Sequence, residues 1–553
     1  MQQDWLRHYP SDVPKNIDIS RDKSIAHAIE QACSRFADHI ALTCMGAHLT
    51  YRDFDRYANH FASFLQNAAG IKKGDRVGIM LPNIMQFPIV FYACQKIGAV
   101  CVCTNPLYTP REMRHQFKDS GASTIVILDL FTHHLESIIH ETEIKNVVVT
   151  SVGDQLPVLK SFIIKAVLKL KGQIPKHALK SFSFKEAIQI GSQKPYQSPV
   201  INHEDLAMLQ YTGGTTGVSK GAMLLQKNIL SNIAQIKAVA SSHVTYGEEQ
   251  VLTALPLYHI FALSVNFLTF LTMGHQMILV PRPIPITNVI KIFKKYRITV
   301  LTGVNTLFNA LVNHPKFGQN PPRSLKIALG GGMAVQEVVN KKWSAVTGKP
   351  IIEGFGLTEA SPVTHVNPLV GSPHSSSIGL PLPSTLAKIV DESGKEVPNG
   401  EPGELIIKGP QVMAGYWQKP EETAKAIKDG WLYTGDIAKR DGEGYFFIVD
   451  RKKDMILVSG FNVFPNEVEE VLASHPKVLE CAVVGIPDSN SGEAVKAFVV
   501  PKDPSLTEDE LRRYCEENLT NYKRPKLFVF RKDLPKTNVG KILRRELKEP
   551  RSA

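Results

Sequence analysis

The run YTGGTTGVSKG, Tyr211 to Gly221, holds four glycines, three threonines and one lysine in eleven residues. Gly213, Gly214 and Gly217 lack a Cβ, so the backbone can turn tightly and aim successive N–H groups at an anion. Thr212, Thr215, Thr216 and Ser219 add hydroxyl donors, and Lys220 adds charge. The chemistry such a set performs is the holding of a phosphate. It is not a Walker A loop, in which the lysine precedes Ser or Thr and a strand runs directly into a helix. Here Lys220 follows Ser219, and LAMLQY and GAMLLQ on either side both read as strands. A plain surface hairpin is the alternative, but a turn needs two glycines at most and no lysine.

Other reactive residues lie downstream. EGFGLTEASP (Glu353–Pro362) contains Glu359, a hard oxygen ligand of the kind a phosphate-bridging Mg²⁺ takes. LGGGMAV (Leu329–Val335) approaches G-x-G-x-x-G, but Val335 stands where the last glycine belongs, which makes a dinucleotide fingerprint weak. Asp436 in WLYTGDIA has the type of carboxylate that clamps ribose hydroxyls, and also of one that merely ends a turn. His259 in LPLYHIFAL sits in an apolar run, where a histidine is more often a satisfied core residue than a functional one. IVDRKKDMILVSGFNVFPNEVE carries a charged cluster between apolar runs, and LPKTNVGKILRREL carries Lys541.

The elements that must position these residues alternate. SIAHAIEQACSRFADHI places Ile25, Ile29, Cys33 and Phe36 on one helical stripe. DRVGIMLPN, GAVCVCTNP, STIVILDL and NVVVTSV are short apolar runs bounded by Gly, Pro, Asn or Asp, the marks of buried strands in an α/β fold. QMILVP, ITVLTGVN and LKIALGGG continue the alternation. After about residue 380 the chain becomes turn-rich with short alternating strands, as in a small β-barrel or sheet. The fold class expected is mixed, multidomain α/β: a large N-terminal domain of layered subdomains plus a small barrel, and a smaller mobile C-terminal α+β domain. The boundaries are 1–449, a hinge at 450–454, and 455–553.

The chain has 553 residues and a formal net charge of +12. That charge is spread out, with no nucleic-acid-binding motif, so nucleic acid is not an expected partner. No window is apolar and long enough for a transmembrane helix, the N-terminus has no secretory h-region, and the seven scattered cysteines suit a reducing compartment. Residues 156–182 combine Leu, Ile, Val and Phe with six lysines and no acid. They read either as a surface helix or as a basic amphipathic segment lying on an anionic membrane.

Taken together, YTGGTTGVSKGAML, LPLYHIFAL, LGGGMAV, EGFGLTEASP, WLYTGDIA, IVDRKKDMILVSGFNVFPNEVE and LPKTNVGKILRREL resemble, in order, the signatures of the acyl-adenylate-forming superfamily. Within it, NPLYTPREM, GVNTLFNAL and the hinge run are similar to the long-chain fatty-acid–CoA ligases of bacteria. The resemblance implies fatty-acid activation by ATP to an acyl-adenylate, then acyl transfer to CoA with AMP released. A medium-chain or aryl ligase is the nearest alternative. A non-catalytic lipid carrier and a P-loop NTPase are the rivals from other classes. The implied roles follow. Lys541, Glu359, Thr358 and His259 are catalytic, and Thr212 and Glu359 hold Mg²⁺. The nucleotide side is Thr212, Gly213, Gly214, Thr215, Thr216, Gly217 and Lys220 with Gly331, Gly332, Glu353, Gly354, Phe355 and Gly356. Asp436 and Arg451 take the ribose, Lys453 is the pivot, and Gly460 and Phe461 line the thiol path. The implied partners are long-chain fatty acid, ATP, CoA, a peripheral membrane contact and a homodimer. The implied location is cytoplasmic, against the inner face of the membrane. Two departures stand out: Leu225-Gln226-Lys227-Asn228 replaces a Thr-His pair before the asparagine, and Phe261 and Leu263 occupy the place of a gating tryptophan.

Overall fold

The computed structural model describes residues 3–212, 219–369, 374, 376–489, 491–537 and 539–548. Seven strands form one sheet in the order 182–183, 146–150, 124–128, 76–80, 100–103, 206–212, 220–225. All its pairs are parallel except the last, Leu206–Thr212 against Lys220–Leu225. Thr124–Leu128 is buried at every position, as a strand covered by helices on both faces must be. Cys101 and Cys103 are buried in Val100–Cys103 together with both valines, so here neither face of the strand is solvated.

A second sheet has nine strands in the order 380–381, 363–366, 352–356, 327–330, 300–303, 250–253, 276–279, 40–44, 47–50. Its middle is parallel and its two edges antiparallel. Helix Ile25–Arg35 starts where the Ser24 side chain accepts the His27 N–H, and it buries Ile25, Ile29 and Cys33. Those residues join Phe54, Phe61, Phe87, Phe91 and Phe267 in the largest core.

Downstream lies a five-stranded sheet: 386–390, 403–408, 431–440 and 427–428, with 446–451 also paired to 431–440. The last sheet, 461–463, 456–458, 492–501, 478–488 and 527–530, has its own core around Val463, Val468, Leu472, Val483, Val495 and Val499. Its burial is separate from the main core, the condition for a unit that can shift as a body. Among the described residues no helix is long and apolar enough to cross a membrane, and all seven cysteines are buried thiols.

Candidate active site

The glycine-rich hairpin is closed at its mouth by the register that sets Thr212 opposite Lys220. Gly213, Gly214, Thr215, Thr216 and Gly217 lie outside the described residues. Lys220 Nζ stands 2.7 Å from Glu422 Oε2 and 4.7 Å from the centre of the Tyr416 ring. The bond from Lys220, with a second from Lys425, holds the Glu422 carboxyl down at about 2. Tyr416 in turn donates its hydroxyl to Glu359 Oε1 at 2.7 Å. Residues 413–417 reach this spot because they run beside the second hairpin strand: Met223 N–H donates to Gly415 O at 2.9 Å and Trp417 N–H to Gly221 O at 2.8 Å. Glu422 and Tyr416 were not expected from the sequence. MAGYW shows in hindsight as a strand-like companion, but nothing in it says which strand it meets.

On the next side, strand Ile327–Gly330 runs into Gly331 and Gly332, and strand Ile352–Gly356 lies parallel to it with Gly330 opposite Glu353. A Cβ on Gly331 would come within 3.2 Å of Gly354 O and 3.3 Å of the Phe261 ring. A Cβ on Gly356 would meet Pro362 O at 2.3 Å, so this position takes glycine alone. Phe261 therefore lies against the glycine turn, while Leu263 is buried. Phe355 meets His365 edge-on at 6.1 Å. Glu353 accepts the Val335 N–H at 3.2 Å, and burial pushes its carboxyl up to about 8, reinforced by the charge of Glu470. Thr358 and Glu359 occupy a single 3-10 turn, anchored where Met413 N–H donates to Glu359 O at 2.8 Å.

The third side is an ion pair built by register. Asp436 and Arg451 face each other across strands 431–440 and 446–451, with Arg451 Nε 3.3 Å from Asp436 Oδ1. Burial raises the Asp436 carboxyl, while Arg451, Lys541 and Lys453 oppose that and Glu359 adds to it. Lys541 is carried by a tight loop in which Thr537 N–H donates to Lys541 O at 2.7 Å and Lys541 N–H to Thr537 Oγ1 at 3.1 Å. The loop is docked on the large domain by Thr306, whose hydroxyl donates to Gly540 O at 3.0 Å. Burial, with Arg451, Arg544 and Lys453 near, pushes the Lys541 ammonium down to about 7, and Asp436 limits the fall. His259 is pushed down to about 4, first by burial and then by Lys541. It is therefore a neutral imidazole whose Nδ1 accepts the Phe261 N–H at 3.3 Å.

Lys541, Asp436, Arg451, Lys453, Glu359 and His259 thus converge electrostatically on one centre. Gly460 and Phe461 do not join it. They sit in the hairpin 456–463, where Gly460 has φ +84° and Phe461 is exposed and stacked on Tyr522 at 4.8 Å. Beside that hairpin opens a cavity of about 460 Å³ whose wall includes Ser459, Arg512, Tyr522, Arg524 and Lys526. A second, apolar slot of about 40 Å³ lies between helix 226–240, the π-helix Ala262–Phe270 and the nine-stranded sheet, lined by Ile236, Val265, Phe270 and Leu329. At the departure from the expected Thr-His pair, Gln226 is buried, accepting the Ile25 N–H at 2.9 Å and donating to Gln95 Oε1 at 2.8 Å, so it serves packing.

A single cluster of three or more His, Cys, Asp or Glu able to hold a metal is absent among the described residues. A single carboxylate such as Glu359 is enough for the Mg²⁺ that rides on a polyphosphate, because such an ion takes one or two carboxylates and draws its other ligands largely from phosphate and water.

The profile of AMP-binding enzymes matches residues 29–417, and that of the AMP-binding enzyme C-terminal domain matches residues 467–541. The chain is 51% identical over 551 residues to a long-chain-fatty-acid–CoA ligase of Escherichia coli O6:H1, covering 99% of this chain and 98% of that one. Its fold is similar to that of an anthranilate CoA ligase in complex with anthranoyl-AMP, with TM-score 0.85, 26% identity, and 97% and 98% of the two chains covered. ATP-bound MatB from Rhodopseudomonas palustris gives TM-score 0.82 at 27% identity over 94% and 98%, and the apo form of the same enzyme gives 0.72. With signatures in order, one convergent centre and relatives matched end to end, the chain belongs to the AMP-binding enzyme family.

Proposed function

We propose that the protein is a long-chain fatty-acid–CoA ligase working in two steps at one centre. The observation that carries this is the delivery of Lys541 by the C-terminal domain to the Asp436–Arg451 pair, beside Glu359 and His259. A carboxylate resists thiolysis because its leaving group would be an oxide. In the first step the fatty carboxylate attacks the α-phosphorus of ATP, and the P–O bond to pyrophosphate breaks. Three anionic groups must meet, so the enzyme's task is positioning and charge neutralisation. Lys541 holds the carboxylate and α-phosphate oxygens, Thr358 adds a hydroxyl, and Lys220 with the loop amides takes the pyrophosphate end. Phe355 stacks on adenine against the Gly331–Gly332 turn, and Asp436 with Arg451 takes the ribose. Glu359 and Thr212 would hold Mg²⁺, which supplies charge neutralisation across the phosphates when bound. His259, neutral at physiological pH, borders the acyl end. The apolar slot lined by Ile236, Val265, Phe270 and Leu329 is far below the ~300–1,000 Å³ of ordinary ligand pockets, so a long chain seated there has to part its walls.

In the second step the CoA thiol attacks the acyl carbonyl and AMP leaves as its C–O bond breaks. Lys541 fills the approach, so the unit 455–553 turns away from 1–449 about the hinge 450–454, with Lys453 as pivot. That turn brings Gly460 and Phe461 to the thiol path. The cation-lined cavity beside them is within the range of ligand sites and suits the phosphorylated end of CoA. Long-chain substrates partition into bilayers, and the enzyme works in peripheral contact with a membrane as a cytoplasmic protein. Product analysis across an acyl series tests the reading. AMP and pyrophosphate formed with long chains and CoA support it, and ADP as the nucleotide product would refute it.

A further inference from the structure

The helix Val158–Leu170 turns its apolar side out of the molecule. Val158 and Leu170 are 88% exposed and Phe162 71%, with Leu159, Ile163 and Val167 also exposed. At ~100° per residue these six fall on one half of the helix circumference. Single exposed apolar residues are ordinary, whereas six on one face form a patch that needs a partner. The opposite side is fixed to the protein. Ser161 is buried so close to Gly153 that a Cβ there would meet its Oγ at 3.0 Å, and Lys165 Nζ pairs with Asp154 Oδ1 at 2.9 Å.

Lysines frame the patch. Lys160 lies at one edge of the apolar arc and Lys165 and Lys169 at the other, within a stretch, 156–182, that has six lysines and no acid. A second element extends the surface. Lys160 donates to the carbonyl of Met45, in the turn between strands 40–44 and 47–50, and Met45 is itself exposed. A Cβ on Gly46 would sit 3.1 Å from Lys295 Nζ and 3.6 Å from Lys160 Nζ, so ammonium groups from two separate helices converge on this turn. Gathering like charges around a bare apolar face is unfavourable until an anionic surface neutralises them. At 13 residues the helix is too short to span a bilayer. An apolar stripe edged by lysines on a fixed short helix is the form of an interfacial anchor.

We propose that this face docks the enzyme on an anionic lipid bilayer. Leu159, Phe162, Ile163 and Leu170 enter the boundary between headgroups and acyl chains, and Lys160, Lys169 and Lys295 meet headgroup phosphates. The assignment rests on the membrane-contact reading above and names its surface. A fatty acid dissolved in the bilayer is then met at the surface rather than from dilute aqueous solution.

The test is flotation of the full-length protein with vesicles of phosphatidylcholine alone or mixed with phosphatidylglycerol, at low and high salt. The wild type is expected to partition about tenfold or more in favour of the anionic vesicles, with the preference shrinking in salt. Phe162→Glu/Leu170→Glu is expected to lose about tenfold or more of that binding while keeping AMP release on detergent-dispersed fatty acid. Lys169→Glu/Lys295→Glu is expected to lose the anionic preference. Flotation of Phe162→Glu/Leu170→Glu equal to wild type overturns this surface and leaves membrane contact standing. A wild type that floats with neither vesicle overturns both, and AMP release reports on the ligase reading separately. Self-association of the wild type that vanishes in Phe162→Glu/Leu170→Glu, without vesicle binding, assigns the face to a second copy and also overturns the proposal.

Discussion

Arg544 and Asp450 are joined across 94 residues of chain, Nη1 to Oδ1 at 3.2 Å. Asp450 is fully buried at the end of the strand that also carries Arg451, the partner of Asp436. Arg544 follows closely on Lys541 and also bonds Glu469 Oε2 at 2.8 Å and Asn466 Oδ1 at 2.6 Å. One guanidinium thus ties the lysine loop to the strand that holds Arg451, the partner of Asp436. It acts as a positioning residue for both.

Arg544→Met removes the cation shared by Asp450 and Glu469 and leaves two buried carboxylates without that charge. Breaking a buried pair in this way costs ~3–5 kcal/mol. Denaturant unfolding followed by a probe in the C-terminal domain should show a lower midpoint. ATP–pyrophosphate exchange should fall, and adding Asp450→Asn should restore part of both. An unchanged midpoint would contradict the clamp.

The pH dependence of the first step follows from Lys541. Its pKa in the free enzyme is lowered to about 7 by burial and neighbouring cations, so the ammonium is present below that pH and lost above it. The kcat/KM for ATP–pyrophosphate exchange should therefore fall as pH rises through about 7, because kcat/KM reports free-enzyme ionisations. His259, lowered to about 4, is neutral throughout and contributes no limb there. The folded chain binds the Lys541 proton less tightly than the unfolded chain, so this group makes stability rise with pH between about 7 and its ordinary value of 10.5. In Lys541→Arg the cation persists and the limb should vanish. A limb of unchanged position in that variant would contradict the assignment.

Glu359→Gln keeps the bond from the Tyr416 hydroxyl in outline but removes the charge that suits Mg²⁺. Titration of Mg²⁺ in the exchange assay should need about tenfold more ion for half-maximal rate. The maximal rate should fall by ~10²–10³, the usual effect of losing a preorganised charge in such a site. An unaltered Mg²⁺ requirement would place the ion elsewhere.

Arg524→Glu alters the wall of the cavity beside Phe461 and Tyr522 without touching the first-step residues. The KM for CoA should rise by about tenfold or more, as expected when a phosphate contact is reversed in sign, while ATP–pyrophosphate exchange stays as in wild type. Equal loss in both assays would remove CoA from this cavity.

Strands were legible where burial made them continuous apolar runs: Thr124–Leu128 and Ile327–Gly330 read directly from STIVILDL and LKIALGGG. The glycine-rich hairpin was legible because LAMLQY and GAMLLQ flank a loop rich in glycine, and strands 206–212 and 220–225 do pair there. What sequence could not show is long-range pairing. Tyr416 reaches Glu359 only because residues 413–417 lie along strand 220–225, and Glu422 meets Lys220 for the same reason. Arg544 reads as one more basic residue in a basic tail until Asp450 and Glu469 are seen around it. The depression of Lys541 comes from burial against three other cations, a property of packing rather than of spacing.

The claim that one centre serves two steps in two domain arrangements is tested most directly by Lys541→Ala, assayed separately in each half-reaction. The account predicts that ATP–pyrophosphate exchange falls by ~10²–10³, the cost of a missing preorganised charge. Thioester formation from supplied acyl-adenylate and CoA should stay close to wild type, because Lys541 has left the centre by then. Equal loss of both half-reactions would contradict the account.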